Sequence, residues 1–316
     1  RRSASRGVER ESISVATAVG TEGHWGMAGC LLGDVGVEAD WQAFAKEWTK
    51  DAASMGLLML SFFTFFFTFN QMACATVRAA GYKNKRVVLE LGSCSASLIH
   101  CTVVSALTYY ELCSQGWGVV SSSPKFDLAG VNTPTGNATM IFCIAYMLAD
   151  LVYLHRFAPG DTLYIVHHWA TVVYMITCIV IGRGCLSTML CIFLGEVTGP
   201  FNNGMVISNL IIMETRVYDR VAGRLNYFFA CILWTGFLFI RVLYAPYGVC
   251  WVLGSFYLGG GKGSEVIPLA ARVVWTALPV LVEYGSFTFF GTLTSDLMRG
   301  WTSDVGKEAL QKKKKG

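Results

Sequence analysis

The chain has 316 residues, 53% of them hydrophobic and 15% charged, a formal net charge of +4 and a positive mean hydropathy. A soluble domain carries about 25% charged residues, so the composition excludes an ordinary soluble enzyme and points to a membrane protein. The basic residues form no stripe of the kind that tracks nucleic acid, so nucleic acid is not an expected partner. The first residue is Arg1 rather than Met, and the natural start is expected upstream.

Residues 1–39, rich in Ser, Gly, Ala and charge without a sustained period, read as a flexible tail. Over 40–53 the pattern changes. Asp40 is a candidate helix cap, and Trp41, Phe44 and Trp48 follow at helical spacing with Lys46, Lys50 and Asp51 opposite. That pattern predicts an amphipathic helix in the membrane interface, its Trp rings at headgroup level.

A bilayer core takes about 20 apolar residues in a helix. Seven segments of residues 54–297 meet that length: 54–76, 87–111, 137–155, 162–182, 185–212 with an interruption at Gly199-Pro200, 226–247 and 267–297. The expected fold class is therefore all-α, a polytopic membrane bundle of about seven transmembrane helices. A basic tail, 298–316, follows. Alternating the loops puts fourteen Lys and Arg on one side, and Lys125, Arg183 and Lys262 on the other. The positive-inside rule then assigns the C-terminus to the cytosol. The tail ends Lys312-Lys313-Lys314-Lys315-Gly316, which resembles the dilysine pattern read by retrieval coats of the endoplasmic reticulum. A polybasic contact with anionic headgroups is the other reading.

Several motifs carry nothing. The Gly259–Gly263 loop ends Gly-Lys-Gly without a preceding strand, so it is not a P-loop. Asn137-Ala138-Thr139 is a glycosylation sequon at the membrane edge and is expected to stay unmodified. The cysteines show no zinc spacing, and most lie in apolar runs as small hydrophobes. No metal or other cofactor is expected.

The polar residues inside the spans are more informative, because an ionisable group at the centre of a membrane helix costs roughly 2.5–3.5 kcal/mol on insertion scales. Such groups are functional candidates by default. His167 and His168 are adjacent, one to two turns into the fourth span; Asp150 lies near the same depth and Glu196 deeper. These four are the candidate catalytic set, lining one cavity open to the cytosolic leaflet. His100, Tyr164, Thr171, Pro200, Asn202 and Asn203 are the candidate lipid-binding set. Pro200 deprives the Glu196 carbonyl of its helical partner, and such a break inside a membrane survives only where protein or water satisfies the freed group. Arg241 reads equally as a structural pair or snorkelling end and as a site residue, and Glu283 as a buried bundle contact. For the histidines the expectation is that at least one imidazole meets Asp150 or Glu196.

The order His100, Tyr146…Asp150-Leu151, His167-His168, Gly182-Arg183-Gly184, Glu196-Val197-Thr198-Gly199-Pro200-Phe201-Asn202, Phe239-Ile240-Arg241 and Pro246 resembles the TLC-domain family of multi-pass membrane proteins, over about residues 54–297. That family includes ceramide synthases and translocon-associated proteins. In the ceramide synthases a His pair, with Thr three residues after its second member, implies acyl transfer from acyl-CoA to a sphingoid base. His167-His168…Thr171 matches this, but the His-Asp pattern of the next span is absent, since 185–196 reads CLSTMLCIFLGE. The resemblance is therefore closer to the smaller TLC-domain proteins tied to membrane lipid homeostasis. It implies an endoplasmic reticulum protein that handles lipid acyl chains. The alternatives are an acyltransferase with acyl-CoA as substrate, and a trafficking or translocon-associated factor. Membrane lipids, a second copy of the chain and a retrieval coat are the expected partners.

Overall fold

The computed structural model describes residues 37–117, 126–215, 220–258 and 263–298. The chain divides into two units, residues 1–40 and 41–316. Of the first unit, only 37–40 are described, as the first residues of a helix. Most of the expected flexible tail, the basic tail with Lys313 and Lys314, and most of the glycine-rich loop lie outside the described residues.

The elements are helices: α1 Val37–Trp48, α2 Ala52–Ala79, α3 Lys85–Ser114, α4 Pro134–Phe157, α5 Thr162–Ile181, α6 Cys185–Glu196, α7 Gly199–Thr215, α8 Arg220–Gly236, a π-helical segment Phe237–Tyr244, α9 Ala245–Tyr257, the short α10 Gly263–Val266, and α11 Leu269–Met298. Among the described residues no strand occurs, only an isolated bridge between Val131 and Arg183. Among the described residues six stretches are long and apolar enough to cross a membrane: α2, α3, α4, α5, residues 221–257 and α11. The fifth expected span is split into α6 and α7, neither of which reaches that length alone. The sixth is longer than its apolar run, because α8, the π segment and α9 follow one another without a break.

Helix ends follow the local sequence. Asp51 caps α2 by accepting from Ser54 N at 2.7 Å, and Asn84 caps α3 by accepting from Arg86 N. Thr133 caps α4 by accepting from Gly136 N, with Pro134 in the first turn where its missing N–H is harmless. Asp40, expected as a cap, instead lies inside the first turn of α1, which starts at Val37. Between α5 and α6 the chain turns through Gly182 and Gly184, at φ +73° and +83°, a region that favours glycine. Asn132 fastens this turn: its amide donates to Cys178 O and its side-chain oxygen accepts from Cys185 N, each at 2.9 Å.

Packing sets depth within the bundle. α3 touches α2, α4, α6 and α7, and α4 touches α2, α3, α5 and α6. These two helices carry the main core, with Cys143, Ile144, Met147, Met175, Cys178 and Met189 buried together. α2 exposes Leu57, Leu60, Phe65 and Phe67 outward, as a lipid-facing helix does. A second core joins α7, α8, the π segment and α11 through Met205, Ala230, Leu233, Phe237 and Leu293. α1 lays its apolar face on the bundle. Trp41, Phe44 and Trp48 pack against Leu58, Ala138 and Ile141, because the apolar ends of α2 and α4 offer that face a protein surface.

Candidate functional site

Consecutive residues on an α-helix point about 100° apart, and α5 uses this to send its two histidines to different places. His168 turns inward. Its Nε2 lies 3.1 Å from Asp150 Oδ2 of α4, a charge-pair distance without the alignment of a hydrogen bond. The other Asp150 oxygen accepts from Ser93 Oγ of α3 at 2.7 Å. All three residues are buried, so Ser93, Asp150 and His168 tie α3, α4 and α5 together.

His167 turns toward Glu196, whose Oε1 stands 3.9 Å from its Nε2. The same carboxylate places Oε2 3.9 Å from His100 Nδ1. His100 is enclosed by rings: it stacks on Tyr146 with centroids 3.9 Å apart and meets Phe142 and Phe66 at 5.9 and 6.2 Å. Glu196 therefore sits between an imidazole packed in the core and one at a cavity wall.

The helix break explains why Glu196 stands there. Pro200 has no N–H to offer the Glu196 carbonyl, and α6 ends at that residue. The Gly195 carbonyl, also freed, accepts from Arg241 Nη2, and Arg241 Nη1 donates to Ser286 Oγ at 3.1 Å. A cation at a helix C-terminus is favoured by the helix dipole. Gly199 allows α3 to approach, since a Cβ added there would lie 2.7 Å from Cys101 Cβ. Arg241 itself comes from the π segment, a geometry that appears mostly as local bulges at functional sites.

Together these elements line a cavity of about 730 Å³ among α5, α6, the π segment, α9 and α11. His167, Glu196, Arg241 and Glu283 are its ionisable groups, and Thr171 lies beside them. The rest of the lining is mainly apolar, including Met175, Ile192, Leu194, Val249 and Leu278. One Glu283 oxygen is buried without a hydrogen-bond partner. Pro279 interrupts the hydrogen bonding of α11 at the same cavity.

The structure thus divides the expected set. His167, Glu196 and Thr171 meet at the cavity; His168 and Asp150 face away from its lining. His100 reaches Glu196 from the core. Asn203 donates to Ser97 Oγ and Gly199 O, each at 3.0 Å, and so fastens α7 to α3. Pro200 and Asn202 lie at the break without lining the cavity, and Tyr164 is exposed. Arg241 and Glu283 belong to the cavity, and their charge within apolar runs was the available signal. A further buried carboxylate, Glu111, gave no such signal because it falls at a span's end. It accepts from Thr133 Oγ1 at 2.6 Å and Thr135 Oγ1 at 2.5 Å, next to the clasp made by Asn132. Among the described residues no group of three or more His, Cys, Asp or Glu is arranged to hold a metal ion.

The family model of the TLC domain matches residues 90–293, from α3 to α11, which includes every residue of the cavity. The chain belongs to the TLC-domain family. A TLC domain-containing protein of Arabidopsis thaliana is 26% identical over 193 residues, covering 59% of this chain and 69% of that protein. No solved structure matches at a significant level. The TLC match begins inside α3, so α1 and α2 lie outside it.

Proposed function

We propose that this TLC-domain protein receives the acyl portion of a membrane lipid in the His167–Glu196 cavity and acts in membrane lipid homeostasis. The observation that carries the reading is the lining: four ionisable side chains set into an otherwise mainly apolar wall of about 730 Å³. A mainly apolar, concave lining with a few placed polar groups is the usual form of a small-molecule site. An amphiphile matches both parts, with its chain on Met175, Ile192 and Leu278 and its polar end at Arg241, Glu283, His167 and Glu196. The proposed location is the endoplasmic reticulum membrane, with the basic C-terminus in the cytosol and Lys313 and Lys314 available to a retrieval coat. Purified full-length protein, extracted for lipid mass spectrometry, is expected to carry lipid that Leu278→Trp expels. Equal lipid content in the two proteins would refute the reading.

A second reading is supported by the 3.9 Å approach of His167 Nε2 to Glu196 Oε1 at the cavity wall. An imidazole oriented by a carboxylate is the arrangement of a general base. His167 would take the proton from an amine as its nitrogen attacks the thioester carbon of acyl-CoA, forming an amide and releasing CoA. Incubation of wild-type protein with acyl-CoA and a sphingoid base tests this, and absence of an N-acyl product would exclude it.

A further inference from the structure

A second cleft lies among α2, α3 and α4. It shares no lining residue with the His167 cavity. Phe67 and Asn70 of α2, Leu89 of α3, and Val152, Tyr153 and Phe157 of α4 are among its walls. Phe67, Val152 and Phe157 are exposed on the apolar exterior of the bundle, so the cleft is reached from the side that lipid occupies.

Phe157, the last residue of α4, also marks where charge meets this cleft. Lys85 Nζ stands 5.9 Å from the centre of its ring and Arg156 Cζ 5.8 Å from it. Two cations from different helices therefore converge on one side chain of the cleft. Neither forms an ion pair within 4.0 Å among the described residues, whereas Arg86 reaches Glu90 at 4.0 Å. The nearby Glu214 is engaged by the backbone N–H groups of Lys83 and Asn84. Asp161 and Glu90 are further acids of this end, and Asp150 lines the inner wall of the cleft, where it is engaged by Ser93 and His168; none of these acids comes within ion-pair distance of Lys85 or Arg156 among the described residues. Like charges brought together without a counter-charge are unfavourable unless an anion lies between them.

We propose that this cleft binds a glycerophospholipid with a net negative headgroup, taken from the leaflet at the Lys85–Arg156 end. Its phosphate lies between Lys85 and Arg156, and one acyl chain runs along Phe157, Tyr153 and Val152 toward Phe67. The apolar walls select a lipid over a free anion, and the pair of cations selects an anionic head over a zwitterionic one. The site is independent of the His167 cavity and of the activity assigned to it.

Native mass spectrometry of the full-length protein in detergent, titrated with phosphatidylserine or phosphatidylcholine of identical chains, tests the proposal. Phosphatidylserine is expected to bind more tightly than phosphatidylcholine. Lys85→Gln and Arg156→Gln are each expected to weaken it about fivefold, following the general worth of one basic residue at an anionic surface. Lys83→Gln removes the same charge away from the Phe157 ring and is expected to change binding little. Val152→Trp, at an exposed rim position, is expected to reduce binding of the lipid by filling the groove. Added inorganic phosphate is expected not to displace the lipid. Equal binding of the two lipids, an equal effect of Lys83→Gln, displacement by phosphate, or full binding by Val152→Trp would each overturn the proposal.

Discussion

His167 and His168 are neighbours in sequence and at the same depth of one helix, yet they work in different surroundings. His168 is closed in by α3 and α4, against a carboxylate whose second oxygen is held by Ser93. His167 stands at the wall of a cavity whose other charged groups come from α6, the π segment and α11. The first arrangement is a tie between helices. In the second, the unpaired Glu283 oxygen lines a cavity that a ligand can enter, whereas the unpaired ring nitrogens of His168 are closed in by protein. A buried polar group that lacks a partner costs about 1–3 kcal/mol, so it is retained where something outside the folded chain supplies the partner. The comparison separates stability from function along a single helical turn.

The largest expected effect falls on the tie. Asp150→Ala leaves Ser93 without its acceptor and His168 without the carboxylate it faces, and is expected to destabilise the protein by about 3–5 kcal/mol, the usual cost of breaking a buried pair. Thermal unfolding in detergent reads this directly. A melting temperature equal to wild type would show that the Ser93–Asp150–His168 contacts carry no stability, and the comparison would collapse.

Arg241→Ala comes next. It removes the donor to Gly195 O and Ser286 Oγ and is expected to cost about 1–3 kcal/mol. It also leaves the cavity with two carboxylates and no permanent cation, so co-purified lipid should change along with stability. Loss of stability with an unaltered lipid complement would assign Arg241 to the helix break alone.

Gly199→Ala probes the junction of the two regions. Its Cβ would lie 2.7 Å from Cys101 Cβ, and overpacking of this kind costs about 1–3 kcal/mol. Because the clash pushes α3 from the break, a shift of Glu196 relative to His100 is expected as well. Crosslinking between engineered cysteines on α3 and α7 would report the movement, and an unchanged yield would argue that the break absorbs the methyl group.

The smallest effect on stability, and the sharpest on function, is expected from His167→Asn. Asn can still donate toward Glu196, so the loss of stability should stay below the roughly 1–3 kcal/mol that follows complete loss of a partner. Lipid content or turnover should nevertheless fall, since an amide does not exchange protons near neutral pH. His168→Asn is the control, expected to reverse that order. If both variants retain wild-type function at equal abundance, neither histidine has a chemical role.

Much of this molecule can be read from residues 40–298 in order. Long apolar runs, separated by short polar loops, leave helices as the structure that satisfies every backbone group in lipid, so the helical class and the order of the helices were legible, while of the seven expected spans six appear as long apolar stretches among the described residues. Pro200 beside Glu196 marked the break for the same reason, and charged residues within apolar runs marked the site. The partners were not legible, because helical period places a side chain on a face but does not say which helix covers that face. Only the packing of α3 and α4 against α5 decided that His168 meets Asp150 while His167 is left to Glu196. Only the continuous helix through 220–257, with its π segment, decided that Arg241 reaches the carbonyl freed at Gly195. Likewise, the apolar face of α1 could have met lipid or protein equally well. Only the folded structure shows which helices it packs on, Leu58 of α2 and Ala138 and Ile141 of α4, because those surfaces come from distant parts of the chain.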